Sequence, residues 1–491
     1  MKGYILKRLL KAILSIFIVV SIVIVMIYKL IPPTKIFEND TILKKLSGDA
    51  RTLYVNNKYD ELGYLDFYQI REMCTESATD KNACMIDGSE EQKRVLDVYK
   101  EKGYDIEYYK TGTPYAIHNF NSFELLGHFY ANLIKIDGPN AVKDDDNPTL
   151  ERKYYWGKDN DGNAGLMCSG CNYKYQLYFN TTFPFIHQNV ISFNFGNSYP
   201  TAGGVPVTQV ISQGQGSQVN DSQTFPNGYT TNSPIIQSTC KYKASSTIDS
   251  MDRKKFDDNY ADCMMEYESP SMINTSYIFG ISSLILAYLI AIPAGILMAR
   301  NKGKAVDKIG IVYINLLNSL PSLAFIFFMR QIGYFAGLPS KFPSLGFKDP
   351  RSYIMPILIL AMLSTSGLMT WIRRYMIDQS NSDYVKFAKA KGLSQSEIFN
   401  RHILKNAIIP IVNGIPGSII LCISGAFITE SAFGIPGMGK MLPDAITYSN
   451  NNMIICLVTI FSALSILSVL AGDVLMTLVD PRIKLEVKKG D

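Results

Sequence analysis

Histidine and tryptophan are scarce in this chain, with 4 His and 2 Trp among 491 residues. The histidines are dispersed, and none has the H-E-x-x-H spacing or a comparable spacing of a metal site. The sequence contains no recognisable nucleophile–base set and no platform of interleaved basic and aromatic residues for nucleic acid. It therefore offers no basis for catalysis by this chain, for a metal site or for nucleic-acid binding. The four histidines are His118, His128, His187 and His402.

Charge is absent from six long apolar runs, although 19% of all residues are charged. Each run has close to, or more than, the ~20 residues that a helix needs to cross a bilayer. A buried helix of a soluble core could explain one run but hardly five more. No run has a clear charge at its centre, so an intramembrane proton relay is not expected. The runs are 12–28, 269–299, 309–329, 352–372, 406–429 and 445–472.

The first run has two interpretations. Four basic residues precede it, as in a secretory signal peptide, but no small-x-small cleavage site follows. We favour a retained first span. Six spans place both termini on one side, and the basic residues of 1–11, 300–308 and 373–405 make that side cytoplasmic. The loop 330–351 is also mildly basic, which alone would favour the cytoplasm. The alternation of sides along six spans places it outside instead.

These observations predict an all-α polytopic membrane domain of six transmembrane helices with a large inserted α+β extracellular domain between helices 1 and 2. Residues 1–37 form the cytoplasmic N-terminal segment and the first span, and 38–268 form the insert. Residues 269–485 form helices 2–6 with a cytoplasmic loop at 373–405, and 486–491 form a cytoplasmic tail. The chain is expected in the cell membrane.

The insert is acidic and mixes strand-like runs at 173–179 and 205–211 with helical stretches at 90–102 and 123–135. Residues 213–231, rich in Gly, Ser, Gln and Asn, predict a long loop. Six of the eight cysteines lie here, and an even number outside the cell permits three disulfides. Free thiols are the alternative. Taken alone, the C-x-x-C pair Cys168 and Cys171 would also fit half of a zinc site or a redox pair. Sequence proximity favours Cys74–Cys84, Cys168–Cys171 and Cys240–Cys263.

A basic segment at 383–410 predicts a helix, a glycine turn and a second helix. Tyr384, Phe387 and Ala388 share one narrow apolar face at i, i+3 and i+4. Gly392 can end the helix in the left-handed conformation, and Ser394 with Glu397 has the spacing of a capping box. A solvated basic loop is the alternative.

The segment 434–440, GIPGMGK, matches the G-x-x-x-x-G-K part of a phosphate-binding loop. Met441 stands where that motif needs Ser or Thr for magnesium, and the segment follows an apolar run instead of a strand. We therefore do not expect a nucleotide site, and ATP hydrolysis is not expected of this chain.

DYVKFAKAKGL, from Asp383, followed by RHILKNAIIP is similar to the cytoplasmic "EAA" coupling loop of permease subunits of ATP-binding-cassette (ABC) importers of the peptide class. KRLLKAILSIFIVV resembles the first helix of the OppB family, and IPAGI, ITESAFGIPGMGKMLPDAI and GDVLMTLVDPRIKL resemble later parts of it in order. FNFGNSYPT resembles its short outer-loop motif. HFYANLIKIDGPN and LYFNTTFPFIHQN narrow the resemblance to the AmiC type of Gram-positive bacteria.

The resemblance implies that the short helix docks on a separate ATPase subunit. Lys386 and Phe387 stand where Glu and Ala are usual, so no specific ion pair with the ATPase is assigned. The implied coupling residues are Asp383, Tyr384, Phe387, Ala388, Ala390, Lys391, Gly392 and Leu393.

The resemblance also implies a second permease subunit, two ATPase subunits that hold ATP and magnesium, an extracellular peptide-binding lipoprotein and a peptide substrate. No cofactor is expected on this chain. The alternatives are a membrane-anchored surface receptor or adhesion module and, within transport, a dipeptide or nickel permease.

Overall fold

The computed structural model describes residues 2–38, 40–158, 164–179, 185–425 and 427–479. The predicted tail 486–491 and the end of the family-like C-terminal segment lie outside these residues. The helices are α1 (Lys2–Leu30), α2 (Gly48–Glu61), α3 (Ile70–Ser77), α4 (Lys81–Cys84), α5 (Glu90–Glu101), α6 (Ser122–Leu133), α7 (Val207–Ser212), α8 (Ser250–Lys255), α9 (Met272–Arg300), α10 (Ala305–Ser319), α11 (Ser322–Phe335), α12 (Arg351–Ser380), α13 (Asp383–Ala390), α14 (Gln395–Glu397), α15 (Leu404–Ala407), α16 (Ile409–Gly425), α17 (Phe427–Phe433), α18 (Met438–Thr447) and α19 (Asn451–Val479).

The strands all lie between α2 and α9, so the chain has a large mixed region on its N-terminal side. The strands are β1 (Leu65–Gln69), β2 (Asp105–Tyr108), β3 (Pro114–Asn119), β4 (Ile134–Ile136), β5 (Lys153–Lys158), β6 (Ala164–Ser169), β7 (Tyr175–Phe179), β8 (Ile186–Gln188), β9 (Ile191–Phe193), β10 (Asp221–Thr224), β11 (Thr230–Ser233), β12 (Ile235–Tyr242) and β13 (Tyr260–Met265).

Four helices of the described chain are long and apolar enough to cross a membrane: α1, α9, α12 and α19. Two further candidates are bent pairs, in which α10 meets α11 at 108° and the segment 395–407 meets α16 at 43°. The count is therefore four, or up to six if each bent pair is one span. The structure is an assembly of several apolar helices with a large α+β region.

The sharpest bend falls within the apolar run 309–329, which the sequence predicts as one span. Pro321 has no N–H to donate, and its ring disfavours helical geometry at the preceding residue. Leu320 is accordingly extended, with φ −79° and ψ 131°, and α11 starts afresh at Ser322.

The mixed region contains five small antiparallel sheets among its described residues. The three-stranded sheet has the order β1-β3-β2, the four-stranded sheet runs β5-β6-β7-β8, and β4–β9, β10–β11 and β12–β13 are two-stranded. The predicted helices at 90–102 and 123–135 are confirmed as α5 and α6, apart from their ends. Residues 213–231, predicted as a loop, include β10 and the start of β11.

The strand predicted at 205–211 is wrong, because Val207–Ser212 is a helix. Pro206 precedes its first residue with φ −54°. Val207 and Ile211 lie one turn apart and are buried in a core shared with α1 and α19. Burial of this i, i+4 pair outweighs the β preference of their branched side chains.

Disulfide bonds join Cys74 to Cys84, Cys168 to Cys171 and Cys240 to Cys263 in the structure. The first links α3 to α4 beneath α5, and the third links the paired strands β12 and β13. Cys422 and Cys456 are free and lie in the apolar helices α16 and α19. The oxidised state in the cell stays a prediction.

Three consecutive asparagines at the start of α19 hold the mixed region against the apolar helices. Asn450 donates to the hydroxyl oxygens of Ser198 and Thr201, each at 2.8 Å, and accepts from the N–H of Met453. Asn451 donates to the hydroxyl of Tyr64, and Asn452 donates to the carbonyl of Asn197 at 3.0 Å. All three asparagines are buried. Such paired amides fix one docking geometry, since any other arrangement would leave buried donors unsatisfied.

We predict that Asn450→Ala weakens this docking. The change removes two bonds across the junction and one within the first turn of α19, at about 1–3 kcal/mol for the buried groups left unpaired. The thermal unfolding midpoint of the purified protein in detergent should fall. Asn301→Ala is the control, because the half-buried Asn301 lies away from the junction and its side chain bonds only the carbonyl of Leu297 at the end of its own helix. Equal midpoints for the two variants would contradict the prediction.

We also predict that the six cysteines of the mixed region are oxidised on the cell surface. Alkylation followed by peptide mass spectrometry should modify them only after reduction. Cys422 and Cys456 should be modified in denatured protein without reductant and thus serve as the internal control. Modification of Cys240 or Cys263 before reduction would contradict the β12–β13 bridge.

Candidate coupling site

The segment after α12 has the predicted helix, turn and helix. The first helix is α13, and Gly392 follows it with φ +77°, the left-handed conformation that glycine adopts without a Cβ clash. Ser394 accepts from the N–H of Glu397, whose carboxylate accepts from the N–H of Ser394 at 3.0 Å. The capping box is therefore confirmed, and it starts α14. A π-helical turn, Ile398–Ile403, continues from there into α15.

Val385 and Ala388 form the buried face of α13. They lie one turn apart and pack in a cluster with Ile372 and Met376 of α12 and with Ile403. Tyr384, Phe387 and Ala388, predicted to share one face, all line one cavity beside α13, but Ala388 is buried whereas Phe387 is 70% exposed. Val385 and Ala388 turn inward together, and this leaves Phe387 on the outer flank of the helix.

An open cavity of about 500 Å³ lies beside α13. Tyr384 stands at its edge and donates to the side chain of Gln379 at 2.8 Å. Ala390 and Gly392 are exposed and do not line the cavity. Six of the eight residues that the resemblance implied are thus brought together here, with His402 as the seventh. The lining residues are Asp383, Tyr384, Phe387, Ala388, Lys391, Leu393 and His402.

The cavity presents an apolar ring between opposite charges. Phe387 lines the cavity, and the Lys391 ammonium lies 5.9 Å from the centroid of its ring. Asp383 is at the start of the helix, where its carboxylate pairs with Lys386 at 2.8 Å. A large exposed aromatic side chain beside a cavity is the arrangement of an anchor that a partner protein buries.

A buried ion pair supports the helix that carries this site. Arg373 of α12 donates two hydrogen bonds to Asp307 of α10, at 2.6 and 2.9 Å, and the N–H of Gly303 donates to the same carboxylate at 2.8 Å. The Asp307 side chain is almost fully buried. Sequence reasoning missed this pair, although Asp307 is the one acidic residue of the basic stretch 300–308.

The second missed residue is Glu430 of α17, whose buried carboxylate is enclosed by the following segment 434–440, the one that resembles a phosphate-binding loop. Ser276 of α9 donates to its carboxylate at 2.8 Å, and the N–H of Lys440 donates at 2.8 Å. A Cβ added at Gly437 would overlap that carboxylate, so the loop closes around Glu430 only with glycine there. The glycine-rich turn thus holds a carboxylate of its own chain.

The described residues contain no group of three or more His, Cys, Asp or Glu that could hold a metal ion.

The region of apolar helices that begins within α9 and includes α19 matches a known protein family. Residues 291–485 match the family described as binding-protein-dependent transport system inner membrane component. The MetNI methionine ABC transporter, solved in an inward-facing conformation, covers 43% of this chain and 94% of its own, at 15% identity and a TM-score of 0.34.

Two curated relatives differ in how much of the chain they match. The dipeptide transport system permease protein DppB of Bacillus subtilis is 29% identical over 215 residues, 44% of this chain and 69% of its own. The oligopeptide transport system permease protein AmiC of Streptococcus pneumoniae is 42% identical over 500 residues and covers all of both chains. Because this similarity runs through the mixed region as well as the apolar helices, the chain belongs to the AmiC-type oligopeptide permeases of ABC importers.

Proposed function

We propose that this chain is a transmembrane permease subunit of an ATP-driven oligopeptide importer and forms half of the translocation path. The observation that carries the proposal is the full-length similarity to AmiC, mixed region included. DppB, which is named for dipeptides, matches only 44% of the chain.

The proposed topology counts each bent pair as one span, which gives six. Residues 1–37 contain the first span, 38–268 lie outside the cell, and 269–485 contain the other five spans, with both termini in the cytoplasm. The basic residues support this orientation. Arg8 pairs with Asp473 at one end of α1 and α19, and Arg300 and Arg373 lie at the corresponding ends of α9 and α12.

The cavity beside α13 is the proposed contact with a separate ATPase subunit. Its Phe387 is exposed, and α13 rests on α12 through Val385 and Ala388. An ATPase subunit that binds Phe387 tightly in one of its nucleotide states and weakly in another favours one arrangement of the membrane helices over the other. Coupling requires only this difference in affinity between the two states.

The remaining partners follow from the same proposal. A second permease subunit completes the path, and two ATPase subunits supply ATP and its magnesium. A peptide-binding lipoprotein delivers substrate to the outer face. The glycine-rich turn 434–440 encloses the carboxylate of Glu430, which supports the proposal that a nucleotide phosphate does not occupy this turn.

Phe387→Ala is expected to uncouple transport. Loss of a central aromatic anchor typically costs 2 kcal/mol or more, about thirtyfold in affinity. ATPase subunits should therefore no longer copurify with the chain, and uptake of labelled peptide into cells should fall about tenfold or more. Lys389→Ala is the control, since Lys389 is exposed on the same helix but does not line the cavity. A receptor or adhesion module would show neither loss.

Asp307→Ala should destabilise the packing of α10 against α12, the helix on which α13 rests. Removing one partner of a fully buried ion pair typically costs about 3–5 kcal/mol, and the cost here should not exceed the lower end of that range because the Arg373 side chain is 25% exposed. The thermal midpoint of the assembled complex and peptide uptake should both fall. Asp378→Ala removes a pair with Arg374 on the surface of α12, where both side chains are about two thirds exposed, and should cost less than about 1 kcal/mol. If the two variants unfold alike, Asp307 does not have this supporting role.

A further inference from the structure

Helix α6 of the mixed region packs against the apolar middle of α1. The hydroxyl of Tyr130 donates to the carbonyl of Phe17 at 3.1 Å and lies 2.9 Å from the hydroxyl of Ser21. Its ring centroid is 4.7 Å from that of Phe17. Leu133 at the end of α6 belongs to the same hydrophobic cluster as Val20 and Ile24 of α1.

The depth of this contact follows from helix geometry. Ser21 is near the middle of the uncharged run 12–28, seven residues from Tyr28. At about 1.5 Å per residue, Ser21 lies about 10 Å below Tyr28 and Phe17 about 16 Å below it. The hydrocarbon core is about 30 Å thick. One leaflet is about 15 Å of that thickness, so in the proposed topology the contacts of Tyr130 extend through the outer leaflet to about the bilayer midplane.

A two-stranded ribbon begins where α6 ends. In β4 and β9, Ile134 faces Phe193 and Ile136 faces Ile191 across the strands. Alternate residues of a strand share a face, so these four side chains form one apolar face. Each is between 47% and 73% exposed. Lys135, paired with Ser192, lies on the opposite face.

A crevice at the end of α6 is lined by side chains of that helix and by Asn194, the residue that follows β9. The crevice has a volume of about 270 Å³ and is lined on one side by His128, Asn132 and Asn194. The side chain of Gln188 accepts from the N–H of Ile191 and donates to its carbonyl. These two bonds satisfy the outward-facing backbone groups of Ile191 within the protein.

We propose that the apolar face of the β4–β9 ribbon contacts the acyl chains of the outer leaflet, so that part of the mixed region is embedded in the membrane. The inference rests on the proposed topology. We assign lipid as the occupant because the ribbon continues from α6, which packs beside the transmembrane helix α1. That helix exposes further apolar side chains along the same span: Ile13, Leu14, Phe17 and Ile18. Contiguous exposed apolar faces often mark contacts with a membrane or with another protein.

Cysteine labelling of the assembled transporter in intact cells tests the proposal. Ile134→Cys and Phe193→Cys are made in a chain that carries Cys422→Ala and Cys456→Ala, with the three disulfides kept. A membrane-impermeant maleimide should label both at least tenfold less than Met251→Cys, a control of comparable exposure in the mixed region. Detergent should remove the difference. Equal labelling in intact cells would overturn the proposal.

A photoreactive benzoylphenylalanine at Ile136 separates lipid from protein as the occupant. Adducts with phospholipid in nanodiscs of the whole complex support the proposal, and adducts with the second permease subunit overturn it. Failure of Met251→Cys to label from outside would overturn the topology, and the placement of the ribbon with it. Peptide uptake by the labelled variants, which leave the coupling site unchanged, reports the proposed function separately.

Discussion

A membrane interior stabilises charges and free backbone groups poorly, so polar groups there must be satisfied by the protein itself. The ionic contacts of this chain obey that constraint. Arg8 pairs with Asp473, and Asp307 accepts a two-bond contact from Arg373, in both cases joining two apolar helices near their ends. Ion pairs in such positions set the vertical register of the helices, because sliding either helix would separate the charges.

The same constraint explains the glycine-rich pattern at 434–440. Glu430 is buried, and its carboxylate needs donors. Ser276 supplies one, and the glycine-rich turn supplies a backbone N–H from Lys440. Glycines that bring backbone N–H groups close to an anion serve a carboxylate as well as they serve a phosphate. The glycine pattern therefore indicates that an acidic group lies inside the turn. The surrounding structure is needed to identify that group as the Glu430 carboxylate.

Local chemistry made the coupling segment predictable from sequence. The positive φ of Gly392 and the capping box of Ser394 and Glu397 depend on residues within one turn of each other, so the residue types alone specify them. The helix at 207–212 and the inward turn of Ala388 depend on what packs against them. Val207 and Ile211 at i, i+4 were a usable signal for a helix. The partners of Asp307 and Glu430 are 66 and 154 residues away along the chain, and no local pattern contains that information.

These contacts form a continuous path from the coupling segment to the mixed region. Val385 and Ala388 seat α13 on α12, and α12 meets α9 at Gly295, where a Cβ would overlap Ile372. The far end of α9 bonds Glu430 through Ser276, and the loop around Glu430 leads into α18 and α19. Asn450 then ties the start of α19 to Ser198 and Thr201. Close-packed interfaces have low compressibility, so a displacement of α13 is passed on to α12 and α9 instead of being absorbed between them. A partner bound to the mixed region and a partner bound beside α13 would accordingly contact the same connected set of helices. Each partner could then change the conformation of those helices to which the other binds.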